Sequence, residues 1–354
     1  MQPLASIIIV SYNKRDDIVR CLRSVFETSE PAFEVIVVDN ASTDGSADAV
    51  VRGFPNAITI RSETNLGFGG GCNLGAGRAS AGCLVFLNPD TLVDDGWLGP
   101  LVSSITAIST PDSPQAVGLA TSKILMLGDP GRINACGNTI HITGLTLCRG
   151  LGAPDRSFAD EEEVDAVSGA AFAIRRDVFE ALCGFDESMF LYMEDTDLSL
   201  RARLAGWQSV CVPRSRVFHD YSLKMFPLKV FYQERNRYLM LLKGFRWATL
   251  LALFPVLLIA EVITWGFVLL SDRANIANKA RAYAWVVNNW SAIVQARRAT
   301  QSLRKVKDIE LLRHTCFRLD LGQAREGGIA RLAQRLLDPL FWVLRRLTLA
   351  LVRW

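Results

Sequence analysis

Apolar residues come in short unbroken runs through the first hundred positions: 5–11 (ASIIIVS), 34–40 (EVIVVDN), 57–62 (AITIRS) and 83–88 (CLVFLN). Runs of this length, rich in β-branched residues and without an alternating polar face, predict strands buried on both sides. Between them apolar positions recur at helical spacing near 15–28, 44–53, 70–80 and 94–107. Strands and helices in alternation predict βαβ units and an α/β fold, with a mostly parallel central sheet flanked by helices. Ligands of such sheets bind beyond the carboxyl ends of the strands. Polar residues stand at those ends: Tyr12 and Asn13, then Asp39 and Asn40, then Asn65 to Gly71, then Asn88 to Asp90.

A second block, 116–221, opens on the strand-like AVGLATS and closes on a helix after Glu194, with Asp195 and Asp197 in its first turn and Gly206 at its end. Residues 247–270 are almost continuously apolar, interrupted by Pro255 and Glu261. That is long enough to cross a bilayer, which takes roughly 20 residues. Residues 329–354 mix arginines with Leu, Phe and Trp at helical spacing, the pattern of a basic helix in a membrane interface.

Charge divides along the same line. Residues 273–354 hold 16 Lys and Arg against 5 Asp and Glu, and the remainder hold 23 against 31. A basic tail on an acidic body suits an anionic partner. Its dense Leu, Trp and Phe content points to lipid, with no nucleic acid expected. A charge at mid-membrane costs about 2.5–3.5 kcal/mol, and proline removes a helix hydrogen bond. The expectation is therefore a segment broken at Pro255, lying as shallow helices on an anionic membrane surface at the cytoplasmic face. A transmembrane pass through 247–270 is the alternative. The expected organisation is a catalytic domain over 1–240, with a nucleotide half (1–115) and an acceptor and base half (116–240), then a helical membrane-associated region over 241–354. Eight cysteines without CxxC spacing read as reduced core residues of an intracellular protein, and LASIIIVS is too short for a signal peptide.

The glycine-rich NLGFGGGCNLGAG (65–77) fails the G-x-G-x-x-G fingerprint, because Cys72 and Ser80 stand where its last glycine belongs. A tight loop near a nucleotide is the expectation there. Asp90, at a rigid strand end, is the leading metal ligand, and a plain Asn-Pro-Asp turn is the bland alternative. His219 could add an imidazole nitrogen around the same cation, Mn2+ or Mg2+. Glu194, Asp195 and Asp197 put three carboxylates within four residues. Mutual repulsion raises their pKa while the helix N-terminus lowers it, which leaves a usable base. Asp195 is the candidate base, with Glu194 beside it, and Asp197 reads as a cap on a solvated first turn. His141 and His314 read as ordinary polar or core residues.

In order along the chain, SIIIVSYNKRDDIVRCLRSV, VIVVDNASTDGS, NLGFGGGCNLG, FLNPDT, GAAFAIRRDVFEALCGFDESMFLYMEDTDLSLRARLAGW and FHDYS resemble the family 2 inverting glycosyltransferases of the GT-A fold, in their rhamnosyltransferase-like branch. The resemblance implies Tyr12 packed on a nucleotide base with Asn13 next to it, and Asp39 accepting a hydrogen bond from the base ring. It implies Asn65, Gly67 and Phe68 in the nucleotide pocket. Asn88-Pro89-Asp90 looks like a variant of the DxD motif, with Asn88 in place of the first acid and Asp90 holding the metal. Asp195 matches the general base and His219 a metal-binding histidine. Arg235 and Arg237, in YQERNRYLM (232–240), are candidates for diphosphate or acceptor contact, with ordinary helix pairing as the alternative. The reaction implied is a single displacement from a nucleotide-diphosphate sugar, dTDP-rhamnose first and a UDP-hexose next, to a hydroxyl of a lipid-linked or cell-surface glycan. Two rivals stand beside it. One is a non-catalytic nucleotide-sugar or carbohydrate binder, which Asn88 favours. The other is a sugar-phosphate nucleotidyltransferase, which needs an Arg- and Lys-bearing phosphate loop where SYNKRDD stands.

Overall fold

The structure is a computed structural model that describes residues 3–30, 32–106, 116–220, 227–320 and 328–354. It has two compact units, one formed by Met1–Asn138, Cys148–Ala202 and Trp207–Ser222, the other by Thr139–Leu147, Arg203–Gly206 and Leu223–Trp354. The second unit thus begins before the boundary expected at 240.

The first half of the first unit runs β1 (Ala5–Ser11), α1 (Arg15–Phe26), β2 (Phe33–Asp39), α2 (Ser46–Gly53), β3 (Ala57–Arg61), α3 (Gly67–Ala76), β4 (Cys83–Leu87), β5 (Thr91–Val93) and α4 (Leu98–Thr106). There follow β6 (Val117–Met126), β7 (Asp129–Ala135), β8 (Asn138–His141), β9 (Thr146–Cys148), β10 (Glu162–Val164), β11 (Ala171–Arg175), α5 (Arg176–Ala181), α6 (Glu194–Leu204) and β12 (Gln208–His219). One sheet takes the order β10-β12-β6-β11-β4-β1-β2-β3, with β5 on β12 and β7 on β6. The block β4-β1-β2-β3 is parallel, as the alternation predicts. Strand β11 runs antiparallel between β4 and β6, so the whole sheet is mixed.

β1 and β4 are buried at every position, whereas β3 is only partly buried because it forms the edge of the sheet. The expectation of full burial is corrected for β3. α1 buries Ile18, Cys21, Leu22 and Val25 at helical spacing and places Asp16 and Asp17 in its first turn. The helix expected near 70–80 is α3, and it begins already at Gly67, so most of the glycine-rich segment is helix and not the tight loop also expected there. Glycine is a poor helix former, yet here it lets the helix settle directly on β1: a Cβ on Gly71 would lie 2.7 Å from Val10 Cγ1, and one on Gly75 2.5 Å from Ile8 Cγ2. Beneath the strand ends, Phe86 packs against Phe172, Phe179 and Phe185 at centroid distances of 5.1, 5.4 and 5.2 Å.

The second unit comprises α7 (Pro227–Gly244), α8 (Trp247–Ser271), α9 (Ile276–Asn288), α10 (Trp290–Ser302), α11 (Asp308–Arg313), β13 (Thr315–Cys316) and α12 (Gly328–Leu351), and β13, β8 and β9 form a small second sheet. α8 is one continuous helix through Pro255, so the expected break does not occur. Pro255 falls on the exposed side, next to Leu251 (76% exposed) and Phe254 (60%), and its missing N–H therefore leaves no buried carbonyl stranded. The other side buries Leu253, Val256, Ala260 and Val268.

Glu261 anchors that inner face. It accepts from Arg237 and Tyr238, each at 2.5 Å, and from Tyr283, and lies 3.3 Å from Lys279 Nζ. Glu234 joins them at 2.7 Å from Arg237 and 2.9 Å from Lys279. Burial alone would raise the Glu234 pKa, but the two cations bring its carboxyl down to about 2. Asp308, itself buried, accepts from Arg246 N and Thr249 Oγ1 at the start of α8, at 2.9 and 2.5 Å. A carboxylate at a helix N-terminus is favourably placed.

The close seating of α3 gives a stability prediction. Gly75→Ala drives a methyl into Ile8 and should cost about 1–3 kcal/mol in urea unfolding. Gly77→Ala meets nothing closer than 3.5 Å at an ordinary φ of −64 and should stay within about 0.5 kcal/mol of the parent.

Candidate active site

In-register pairing sets Ser11, Asp39 and Arg61 side by side, so Tyr12 leaves the sheet next to Asp39. The Tyr12 residue is 49% exposed and can offer its ring to a flat partner. Asn13, at φ 51, clamps the neighbouring loop: its N–H donates to Ser42 Oγ at 2.9 Å and its Oδ1 accepts from Thr43 N at 2.8 Å. Asp39 is buried, with Oδ2 accepting from Ser42 N at 3.2 Å and Oδ1 without a donor. A buried carboxylate oxygen left unpaired is costly, which suits it to an incoming N–H.

The loop before α3 is built by two asparagines. Asn65 Oδ1 accepts from Asn40 Nδ2 at 3.0 Å and from Gly67 N at 2.9 Å, and Asn40 Oδ1 accepts from Leu66 N at 2.9 Å. Gly67, at φ 73, is required: a Cβ there would lie 2.2 Å from the carbonyl oxygen of Phe190. Phe68 N donates to that same oxygen at 2.8 Å, and its ring meets Phe185 edge-on.

Asn88, Pro89 and Asp90 do form a turn. Asn88 N donates to Ala170 O at 2.9 Å, and its carbonyl accepts from Thr91 Oγ1 at 2.7 Å. The turn fixes Asp90 beside His219, which stands opposite Thr91 in the β5–β12 pairing. His219 Nε2 is 3.3 Å from Asp90 Oδ1, and Lys14 Nζ is 3.8 Å from Asp90 Oδ2. Burial opposes ionisation of Asp90, but His219 beside it, and then Lys14, hold its carboxyl below the usual aspartate range. Its Oδ1 is buried without an aligned donor. A hard oxygen and an imidazole nitrogen converging in this way fit a divalent cation that takes its other ligands from a diphosphate. Among the described residues no third His, Cys, Asp or Glu joins them.

α6 opens with the acidic group. Asp195 Oδ2 accepts from Gly169 N at 2.8 Å and from Asn138 Nδ2 at 3.3 Å, while Oδ1 accepts from Thr196 N at 2.7 Å. Burial raises its pKa, and these hydrogen bonds temper the rise. Glu194, buried with Oε2 unpaired, is pushed up to about 8 by burial and by the charge of Asp195. Of the two, Glu194 is therefore the easier to protonate and the better-bonded Asp195 the easier to leave charged. Asp197 is not solvated as expected: it is 1% exposed and pairs with Arg201 Nε at 2.7 Å. The backbone entering α6 is strained, with Phe190, Tyr192 and Met193 all at φ between 60 and 69.

Arg235 and Arg237 belong to the second unit and do not offer free guanidinium groups. Arg237 is fully buried between Glu234 and Glu261, and Arg235, 5% exposed, stacks over Tyr232 and Trp285 at 4.9 and 4.6 Å. For Arg237 the pairing alternative is the one seen, its guanidinium being committed to Glu234 and Glu261. Lys14, Asn134, Asn138 and Gly169 stand beside these candidates; Lys14 and Gly169 lie within the quoted motif blocks, and no motif marks Asn134 or Asn138.

The model of the Glycosyl transferase family 2 matches residues 6–110, and that of the Glycosyl transferase family group 2 matches residues 155–297. An N-acetylglucosaminyl-diphospho-decaprenol L-rhamnosyltransferase of Mycobacterium tuberculosis is 29% identical over 246 residues, 62% of this chain and 76% of its own length. The structure of GalNAc-T7 with UDP, GalNAc and Mn2+ superposes with a TM-score of 0.53 at 18% identity, over 68% of this chain and 47% of that one. Staphylococcus aureus TarS 1-349 with UDP-GlcNAc gives 0.54 at 17% identity, over 99% and 89%. The two matched regions take in the strand ends that carry Tyr12, Asp39 and Asp90 and the helix that carries Asp195, and the chain belongs to the family 2 glycosyltransferases of the GT-A fold, in their rhamnosyltransferase-like branch.

Proposed function

We propose that the protein is an inverting glycosyltransferase that moves a sugar, L-rhamnose from dTDP-rhamnose first and a UDP-hexose next, to a hydroxyl of a lipid-linked or cell-surface glycan. One observation carries this reading. Ala170 O receives the backbone N–H of Asn88 while the adjacent Gly169 N holds the Asp195 carboxylate, at 2.9 and 2.8 Å, so the turn that fixes Asp90 and the helix that carries the base share one strand entry. The mycobacterial relative, named for rhamnosyl transfer to a diphospho-decaprenol acceptor, supports the choice of sugar and acceptor.

Tyr12 stacks on the nucleotide base, and the unpaired Asp39 oxygen accepts its ring N–H, which favours uracil or thymine. Asn13, Asn65, Gly67 and Phe68 shape the walls of that pocket, and Asn88 offers an amide towards the diphosphate. Asp90 and His219 would hold Mn2+ or Mg2+, which supplies Lewis-acid charge to the departing diphosphate. Asp195 takes the proton of the acceptor hydroxyl as that oxygen attacks the anomeric carbon from the face opposite the leaving group. One displacement inverts the anomeric centre, and no enzyme nucleophile takes part.

The second unit places this chemistry at a membrane. α8 exposes Leu251, Phe254, Leu258 and Val262 along one stripe, and α12 exposes Leu336, Leu340, Val343, Leu347 and Leu351 along another. Residues 247–266 are long and apolar enough to cross a bilayer. The ties of Glu261 to α7 and α9 instead favour α8 lying along an anionic cytoplasmic surface, with the basic tail adding around 1 kcal/mol per Lys or Arg.

Asp195→Asn should lower turnover roughly 10²–10⁴-fold with donor binding intact. Asp197→Asn should instead lower the unfolding temperature, because it strands Arg201. A crippled but stable Asp197→Asn enzyme would put the base on the wrong carboxylate. The Glu194 proton also has a stability consequence. Between the ordinary glutamate value of 4.5 and about 8 the folded chain keeps a proton that the unfolded chain has released, so stability should fall as pH rises through that window. Glu194→Gln should flatten that slope in unfolding measured from pH 5 to 8.5.

Asp90→Ala should abolish the divalent-dependent part of turnover, while Asn88→Asp retains or strengthens metal binding. Full activity in EDTA would remove the metal from the reading. For the membrane, Leu251→Glu with Leu258→Glu should release the protein from phosphatidylglycerol vesicles in flotation, without change in turnover on a soluble acceptor. Labelling from outside the cell between 271 and 320 would establish a crossing instead.

A further inference from the structure

The turn that leaves β1 brings a lysine to the candidate site. Lys14 follows Tyr12 and Asn13 just before α1, and its side chain is 46% exposed. Its Nζ donates to Asp17 Oδ2 at 3.0 Å and lies 3.8 Å from Asp90 Oδ2. An ammonium group has three N–H bonds and no lone pair, so the bond to Asp17 leaves two donors for a ligand. Nor does Asp17 cancel the charge by itself. Its other oxygen, Oδ1, accepts from Arg20 at 2.5 Å, so two cations share one carboxylate. Burial opposes the charge of Lys14, but Asp17, then Asp90 and Asp220, hold its pKa above the usual lysine value. Among the described residues two basic side chains come into ion-pair range of Asp90, His219 and Lys14, and Lys14 is the more exposed.

We propose that Lys14 binds the diphosphate of the donor and offsets the charge that gathers on it as it leaves. The proposal rests on the reading of Tyr12 and Asp39 as the base subsite and of Asp90 as the end that meets the diphosphate. In a nucleoside-diphosphate sugar the phosphates lie between base and sugar. Lys14 is two residues from Tyr12 along the chain and 3.8 Å from Asp90 in space, which puts its ammonium group on that path. When the anomeric C–O bond breaks, its electron pair stays on the diphosphate oxygen, and the acceptor proton goes to Asp195. Lys14 keeps its own proton and acts by charge and hydrogen bonding, both of which strengthen as the leaving group becomes more negative.

The test is equilibrium binding of dTDP and of thymidine to the full-length protein, in Mn2+ and again in EDTA, with UDP and uridine as the second pair. Lys14→Gln keeps a polar side chain and removes the charge. It should weaken diphosphate binding roughly 10–100-fold in both conditions, the range for a hydrogen bond to a charged group, and leave nucleoside binding within about twofold. Lys14→Arg should recover most of the loss. Diphosphate affinity in Lys14→Gln within about twofold of the parent would overturn the proposal. So would an equal loss for thymidine, which would make Lys14 part of the base pocket or of the fold alone. A loss present in Mn2+ and absent in EDTA would place the effect on the metal and overturn the direct contact. A parent that binds neither dTDP nor UDP would remove the donor reading and the proposal with it, whereas a parent that binds dTDP no better than Lys14→Gln removes the role of Lys14 alone.

Discussion

On the proposed reading the Asp195 carboxylate needs three things at once: burial from bulk water, retention of its charge, and a fixed place relative to the leaving diphosphate. Burial works against the charge, and the amides of Gly169 and Thr196 restore it. Gly169 can approach because it has no side chain; a Cβ there would sit 3.2 Å from Asp195 Oδ2. Its neighbour Ala170 is bonded to Asn88, and Thr121 secures the same stretch through Ser168 N and Ala171 O at 3.2 and 3.0 Å. Displacing this short strand entry would therefore misplace the base and the Asp90 turn together. On the opposite flank Gly67 lets Phe68 bond the Phe190 carbonyl, which ties the nucleotide loop to the strained backbone ahead of α6. The loop before α3, the Asp90 turn and Asp195 are thus linked through backbone contacts, and a Cβ would meet the Phe190 backbone at Gly67 and crowd Asp195 at Gly169.

The second unit solves a different problem with the same physics. Two acids and two bases meet beside Tyr238 and Tyr283: Glu234, Arg237 and Lys279 are buried, and Glu261 is half-buried. A set that is neutral overall and fully interlinked avoids the penalty of lone buried charges, though removing any member would strand its partners. The cluster gathers the polar groups of α7, α8 and α9 on the inside, and the outer face of α8 is left almost wholly apolar. Such an arrangement is unfavourable in water and favourable against lipid. Trp354 closes the unit, with its indole N–H on Thr249 Oγ1 at 2.8 Å.

Where burial is set by strand periodicity, the sequence was readable: β1, β2 and β4 fall within a residue of the apolar runs. It was less readable where tertiary packing overrides local preference. A helix was expected near 70–80 although glycine disfavours one, and α3 reaches back to Gly67 because its glycines let it lie on Val10 and Ile8. Asp197 and Arg237 carry charges that read as solvent-facing, and only the fold shows the buried partners that compensate them. Pro255 was expected to break α8, but a proline on an exposed helix face interrupts nothing buried. Of the candidate site, Asp90, Asp195, His219 and Gly169 lie in blocks that the sequence singles out. Asn134 and Asn138 do not, because such ordinary residues meet His219 and Asp195 only through the pairing of β7 with β6 and the approach of α6.

Charge balance offers an account of Asn88. A sugar nucleotide brings a doubly charged diphosphate, and its departure leaves a further negative charge to be accommodated. On the proposed reading Asp90 is the one acid at the metal, so a divalent cation there would keep a single net positive charge, and Lys14, 3.8 Å from Asp90, would add another. The sum matches the donor's diphosphate. A second acid at position 88 would bind the free cation more tightly but would cancel one of those charges and repel the departing group. On the proposed reading Asn88 would therefore trade affinity for the free metal against attraction for the metal with its nucleotide.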